Sequence, residues 1–206
     1  MTTQNHFHSD CRACPRLAQF LDGVKSGYPD YHAAPVAPFG DPAARLLIVG
    51  LAPGMHGANA TGRPFTGDYA GILLYRTLYD QGFSNRPESR ARDDGLELHD
   101  CRITNAVKCL PPQNKPQTAE IRACNGYLAA ELQDLPAGAV ILALGKIAHD
   151  AVLRAFGCKL SQYRFAHAAS TGPGGRTPAA GLRLELTAAC CCIPITASAT
   201  TPRPGA

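Results

Sequence analysis

No apolar run in these 206 residues approaches the ~18 needed to cross a bilayer, and the polar start MTTQNHFHSD lacks the pattern of a secretory leader. The sequence therefore predicts a cytoplasmic protein with no membrane partner. Nor is there a large excess of charge of one sign. Twenty Lys and Arg against 16 Asp and Glu leave +4, which permits an acidic partner without demanding one. Nothing in the organisation asks for a second folded unit, and the length suits one α/β domain with its own core. Because the cytosol keeps thiols reduced, the nine cysteines do not suggest a disulfide framework, which leaves metal ligands and buried thiols.

Glycine, by contrast, is concentrated where it matters. From Ile48 to Gly71 an apolar strand runs into a loop carrying Gly50, Gly54, Gly57, Gly62, Gly67 and Gly71, with Phe65 and Asp68 among them. Backbone amides, one flat ring and one carboxylate at a strand end read as a ligand site. Further along, helical spacing follows Pro15, strands are expected at Arg45 to Leu51, Cys101 to Lys108 and Ala139 to Leu144, and helices at about Ala70 to Gly82, Thr118 to Leu135 and from Gly145 to near Gly157. The polar segment Ser84 to Asp94 reads as an exposed loop. This alternation predicts an α/β fold: a three-layer sandwich with a central, mainly parallel four-stranded sheet flanked by helices, ligands lying beyond the carboxyl ends of the strands. Loops GLAPG, ITNAVKCLPP with its Asn105, and LGK should converge there, although each glycine by itself could merely turn the chain.

Cys11 and Cys14 form a C-x2-C pair, and Cys109 and Cys124, with fourteen residues between them, can complete a four-thiolate set. Such a set suits [4Fe–4S] or zinc equally well at this level. Cys101 and Cys158 read as small buried apolar side chains, and Cys190 to Cys192 have no comparable pairing.

GLAPGMHGANATGRPFTGDYAG, ITNAVKCLPPQNKP, ALGKIAHDA and the four cysteines together resemble the family 5, or type B, uracil-DNA glycosylases, over about residues 8 to 160. Ala52, where other families of that superfamily place a polar residue, separates the pattern from family 4. The resemblance implies an enzyme of base-excision repair that flips uracil, or another deaminated base such as hypoxanthine, out of single- or double-stranded DNA and hydrolyses its N-glycosidic bond. It further implies a monomer with a structural [4Fe–4S] cluster on Cys11, Cys14, Cys109 and Cys124, zinc being the alternative.

In that frame Asp68 and Asn105 are the catalytic pair. Asp68 would orient water and stabilise the oxocarbenium-like sugar, unless it only caps the next helix. The Asn105 amide offers a donor and an acceptor to the uracil edge. Gly50, Ala52, Pro53, Gly54, Asn59 and Phe65 are expected to bind substrate. Phe65 would be the stacking ring, and the amides of Ala52 to Gly54 would face the departing base. Arg63, Lys108, Lys115, Arg122 and the Gly145–Lys146 helix start are candidate phosphate contacts. His56 and His149 carry weaker claims, His149 reading equally as a packed helix residue.

The resemblance stops at the carboxyl end. Family 5 enzymes carry a last motif HCxRYN, but here no asparagine follows Asn125 and no histidine follows His167. The sequence predicts a glycosylase-like domain over 1–165 and an atypical, frameshifted or disordered tail over 166–206. Permitted codons for Cys192 to Ala206, read one nucleotide earlier, yield HPHHCKRYNTTTGR, which restores the motif. The alternative is a non-catalytic Fe–S protein that binds DNA.

Overall fold

The run LLIVG becomes strand β2 (Leu46–Gly50), whose Leu47 to Gly50 are buried, as a strand covered on both faces must be. The computed structural model describes residues 7–166 and the backbone of two strands at 169–171 and 183–186. Side chains of a strand alternate, so Leu47 and Val49 pack on one face and Ile48 on the other. Helices α1 (Pro15–Gly27), α4 (Thr118–Gln133) and α5 (Lys146–Ala155) supply the first layer through Leu17, Leu21, Leu128 and Val152. Helix α3 (Tyr69–Asp80) supplies the opposite layer through Tyr75 and Leu78. Each fully buried aliphatic side chain contributes about 1.5–3 kcal/mol.

Strands β3 (Cys101–Asn105), β2, β4 (Val140–Ala143) and β6 (Arg183–Leu186) lie parallel in that spatial order. This is the expected four-stranded parallel core. Two short antiparallel strands, β1 (Phe39–Gly40) beside β3 and β5 (Ala169–Thr171) beside β6, widen it to six. The chain passes from β2 to β3 on one side and returns through α4 to β4 on the other. The strand order therefore reverses at β2, where open α/β sheets place their ligands. The expectations for Cys190 to Cys192 and for the shifted frame lie outside the described residues.

One sequence expectation needs correcting. Strand β3 ends at Asn105 and does not continue to Lys108, whose carbonyl accepts from Val36 N instead. The expected loop over Ser84 to Asp94 is present and largely exposed, and it is pinned inward at its ends. Ser84 and Leu96 are buried, and Asp94 is drawn inward by the guanidinium of Arg63, 2.7 Å away. Burial alone would raise the Asp94 carboxyl, but Arg63 and the N–H groups of Arg90, Leu96 and Ala91 outweigh it and hold the group well below the usual carboxylate range.

Candidate active site

Gly50 and Asn105 end neighbouring strands and stand side by side in register. The chains stay joined beyond them: Ala106 N donates to Gly50 O at 2.9 Å and Val107 N to Leu51 O at 3.0 Å. A Cβ on Gly50 would lie 2.4 Å from Asn105 Oδ1 and 2.6 Å from Phe65 Cζ. Only glycine lets the amide and the ring close over the strand end. Asn105 is buried, and its Oδ1 has no hydrogen-bond partner among the described residues. Leaving such an acceptor unmet costs about 1–3 kcal/mol, a cost that a ligand's N–H removes.

Phe65 adopts φ +54°, a left-handed conformation that is strained for an aromatic residue by about 1–3 kcal/mol. Its neighbours enforce it. The Tyr75 hydroxyl donates to Pro64 O at 2.8 Å, and a Cβ on Gly71 would sit 1.7 Å from the Phe65 carbonyl oxygen. The start of α3 thus presses directly on the loop. Asp68 is the N-cap of α3, its Oδ1 accepting from Gly71 N at 2.8 Å, so the capping role expected of it is real. Its other oxygen, Oδ2, lies where a Cβ on Gly57 would come within 2.6 Å, and one on Gly54 within 3.7 Å. Asp68 therefore faces the GLAPG loop from the far side of Phe65.

Between them runs Ala52, Pro53, Gly54, with Pro53 buried and the other two half-buried. Pro53 has no N–H, so the three amides expected here are two. The N–H groups of Ala52 and Gly54 have no protein acceptor among the described residues. Asn59 lies in the four-residue helix α2 (Ala58–Thr61); its backbone N donates to Gly54 O at 3.0 Å and its carbonyl accepts from Ala33 N. Its fully buried side chain has neither Nδ2 nor Oδ1 paired. His56 is exposed on the rim, its Nδ1 2.8 Å from the Tyr31 hydroxyl.

Toward the end of the run Asn105 to Cys109, the four thiols of Cys11, Cys14, Cys109 and Cys124 line one small cavity together with Tyr127. The structure thus gathers two thiols from before α1 with one after β3 and one on α4. No three His, Cys, Asp or Glu among the described residues approach closely enough to hold a single ion. Burial, then the neighbouring thiols, push Cys109 up to about 12, and burial also raises Cys124 and Cys14. The Tyr127 hydroxyl donates to Cys11 Sγ at 3.2 Å, and Lys108 N donates to Cys124 Sγ at 3.3 Å. Around the cavity, Arg16 grips Glu120 through two hydrogen bonds of 2.7 and 2.8 Å, and Glu120 also accepts from Gln117 N.

The proposed phosphate contacts divide. Arg63 and Lys108 are buried and paired: Arg63 with Asp94 and over the Phe39 ring, Lys108 with Glu131 at 2.6 Å and with Thr104. Both are removed from that role, since a buried paired cation does not meet a phosphate. Lys115 and Arg122 are exposed, and Lys146 is exposed beside Asp150. His149 is fully buried with Nδ1 on Asp150, as a packed helix residue. Cys101 is buried in the α3 layer as expected of a small apolar side chain. The Lys108–Glu131 and Tyr31–His56 pairs carry no signal in the sequence, because each joins residues far apart.

Comparison with known proteins bears on the same residues. The family described as "Uracil DNA glycosylase superfamily" matches residues 37–196. The chain belongs to that superfamily. A type-5 uracil-DNA glycosylase of Thermus thermophilus is 49% identical over 173 residues, covering 81% of this chain and 78% of the relative. One from Pyrobaculum aerophilum is 43% identical over 159 residues, covering 75% and 70%. A type-4 uracil-DNA glycosylase of Thermotoga maritima is 37% identical over 105 residues, only 50% of this chain and 46% of the relative. Within the superfamily, the chain thus groups with type 5, in line with the Ala52 pattern.

Proposed function

We propose that this chain is a uracil-DNA glycosylase of base-excision repair, acting in the cytoplasm as a monomer on single- or double-stranded DNA, with deaminated purines as further substrates. The observation that carries it is the closure of the Asn105 amide and the Phe65 ring over Gly50, with Asp68 across the GLAPG loop. A flipped uracil stacks on Phe65 while Asn105 pairs with its polar edge, which discriminates bases because an unmatched buried amide is costly. As the N-glycosidic bond breaks, its electron pair leaves with the base, and the free N–H groups of Ala52 and Gly54 face the charge that develops. Asp68 stabilises the cationic sugar and orients the water that bonds to C1′, whose proton is lost to solvent. Asn59 completes the loop as a buried amide ready to bind water or substrate.

The four cysteines, gathered around one cavity, are assigned to a [4Fe–4S] cluster, with zinc the alternative because both accept four thiolates. Its part is structural: Cys109 and Cys124 hold the segment that follows Asn105. Hydrolysis needs no electron transfer.

The folded domain is read as 1–165 together with β5 and β6, which complete its sheet, and the shifted frame is assigned to Cys192 to Ala206. The decisive experiment measures base release from a uracil-containing duplex by this chain and by a version with the HCxRYN frame restored. Alkali-labile sites are expected from the restored chain, and few or none from the chain as written. Absence of release by both overturns the glycosylase reading in favour of a DNA-binding protein. Visible absorbance typical of Fe–S proteins is expected in both.

A further inference from the structure

Beside the GLAPG loop, the segment after α1 places two aromatic rings against His56. Tyr28 and Tyr31 are stacked with centroids 4.7 Å apart and planes 24° from parallel. Both rings meet the His56 ring edge-on at 6.0 Å, and the Tyr31 hydroxyl is 2.8 Å from His56 Nδ1. Lys25 joins the group, its Nζ donating to Tyr31 O at 2.5 Å. Tyr28 is 43% exposed although it is a large apolar ring, and His56 and Lys25 are exposed as well. The cluster stands at the site: His56 O would lie 3.4 Å from a Cβ on Gly67, and the next residue, Gly57, adjoins Asp68.

We infer that Lys25, Tyr28, Tyr31 and His56 form a binding rim for the DNA strand that carries the flipped nucleotide. The inference rests on the glycosylase reading and adds a second contact surface to it. Tyr28 stacks on Tyr31 and remains 43% exposed, an aromatic surface of the kind that stacks an unpaired base without regard to sequence. In the tautomer in which the Tyr31 hydroxyl donates to Nδ1, the His56 ring carries its proton on Nε2, a donor for a phosphodiester oxygen. Lys25 adds positive charge for the same backbone. Tyr31 touches no DNA in this scheme; it is a positioning residue that acts through His56. Aromatic faces interleaved with basic groups are what a single strand requires, and no other role in the fold calls for Tyr28 to remain uncovered.

The test is fluorescence anisotropy of an end-labelled oligonucleotide with one uracil, as single strand and as duplex, binding the full chain. Binding is the readout, so the state of the carboxyl-terminal frame does not decide it. Tyr28→Ala is expected to weaken binding about 5- to 100-fold on the single strand and less on the duplex, whose other bases stay paired, while Tyr28→Phe, which keeps the ring, stays near the parent. Tyr31→Phe and His56→Ala should each weaken binding less, and their combination no more than His56→Ala alone, the non-additivity expected of one residue acting through another. Tyr79→Ala, exposed at the far end of α3, should change nothing. Unchanged affinity of Tyr28→Ala in a correctly melting protein overturns the rim and leaves the glycosylase reading standing, as does an equal loss in Tyr28→Phe. Failure of both this chain and the frame-restored chain to bind either probe overturns both.

Discussion

The run from Asn105 to Cys109 meets the glycine loop at its start and the thiol cavity at its end, and the two are built on opposite terms. On the loop side polar groups are left unmet: Asn105 Oδ1, both side-chain atoms of Asn59, and the amides of Ala52 and Gly54. Phe65 holds a strained backbone there. On the thiol side the charged groups are tied to one another, Arg16 to Glu120 and Lys108 to Glu131, only the second oxygen of Glu131 being left unmet. Unmet donors and acceptors suit a ligand that comes and goes, because binding recovers the energy they cost. A tied surround suits a group that stays, because each ion pair fixes one of the chain segments that must hold it.

Asp68→Asn is the sharpest way to separate the two sides. Asn also caps a helix, so the thermal midpoint should hold, while single-turnover release of uracil by the frame-restored chain falls about 10²–10⁴-fold. A parallel loss of stability would make the loop a structural element like its counterpart. Cys109→Ser should do the reverse: bound iron and visible absorbance are lost and the protein becomes far less stable, since metal affinity of a folded site is folding free energy. Retention of iron in this variant would break the assignment of the cavity.

Gly50→Ala probes the loop side with one methyl group. Its Cβ meets Asn105 and Phe65 rather than the core, so release should fall more than tenfold while overpacking costs about 1–3 kcal/mol in denaturant unfolding. The smallest effect is expected on the thiol side. Arg16, then the Gln117 N–H, hold the Glu120 carboxyl below its ordinary value of 4.5. Its contribution to stability is therefore complete above that value and is lost as pH falls through the lowered one. Glu120→Gln should cost about 1 kcal/mol at neutral pH and flatten the acid limb of the unfolding curve. An unaltered acid limb would show that Arg16 does not clamp α1 to α4.

Much of the scaffold was legible because periodicity reports local geometry. LLIVG, CRITN and VILA are strands of the sheet, α1 begins at Pro15, and α3, α4 and α5 begin and end within a few residues of the expected Ala70 to Gly82, Thr118 to Leu135 and Gly145 to Gly157. β1, with two residues, and α2, with four, are too short to leave a periodic trace. At the site, the types at Asn105, Phe65 and Asp68 were readable as chemistry, as were the cysteine spacings. The phosphate roles given to Arg63 and Lys108 failed because a cation's neighbours along the chain do not reveal whether Asp94 or Glu131 will reach it. The count of three amides at Ala52, Pro53 and Gly54 was too high for a reason already in the sequence, since proline carries no N–H.

By itself, then, the sequence determined the parallel α/β scaffold, the glycine loop at a strand end and the membership of Cys11, Cys14, Cys109 and Cys124 in one set. These follow from side-chain period, backbone freedom and ligand type, all local properties of the chain. Only the tertiary structure decided which polar groups are satisfied and which are left open. That Gly50 must be glycine to let Asn105 and Phe65 meet, that Arg63 and Lys108 are spent inside the protein, and that Tyr28 and Tyr31 stand against His56 all depend on residues brought together from distant segments. Pairing in space is a property of packing, and packing is settled only when every element has found its neighbours.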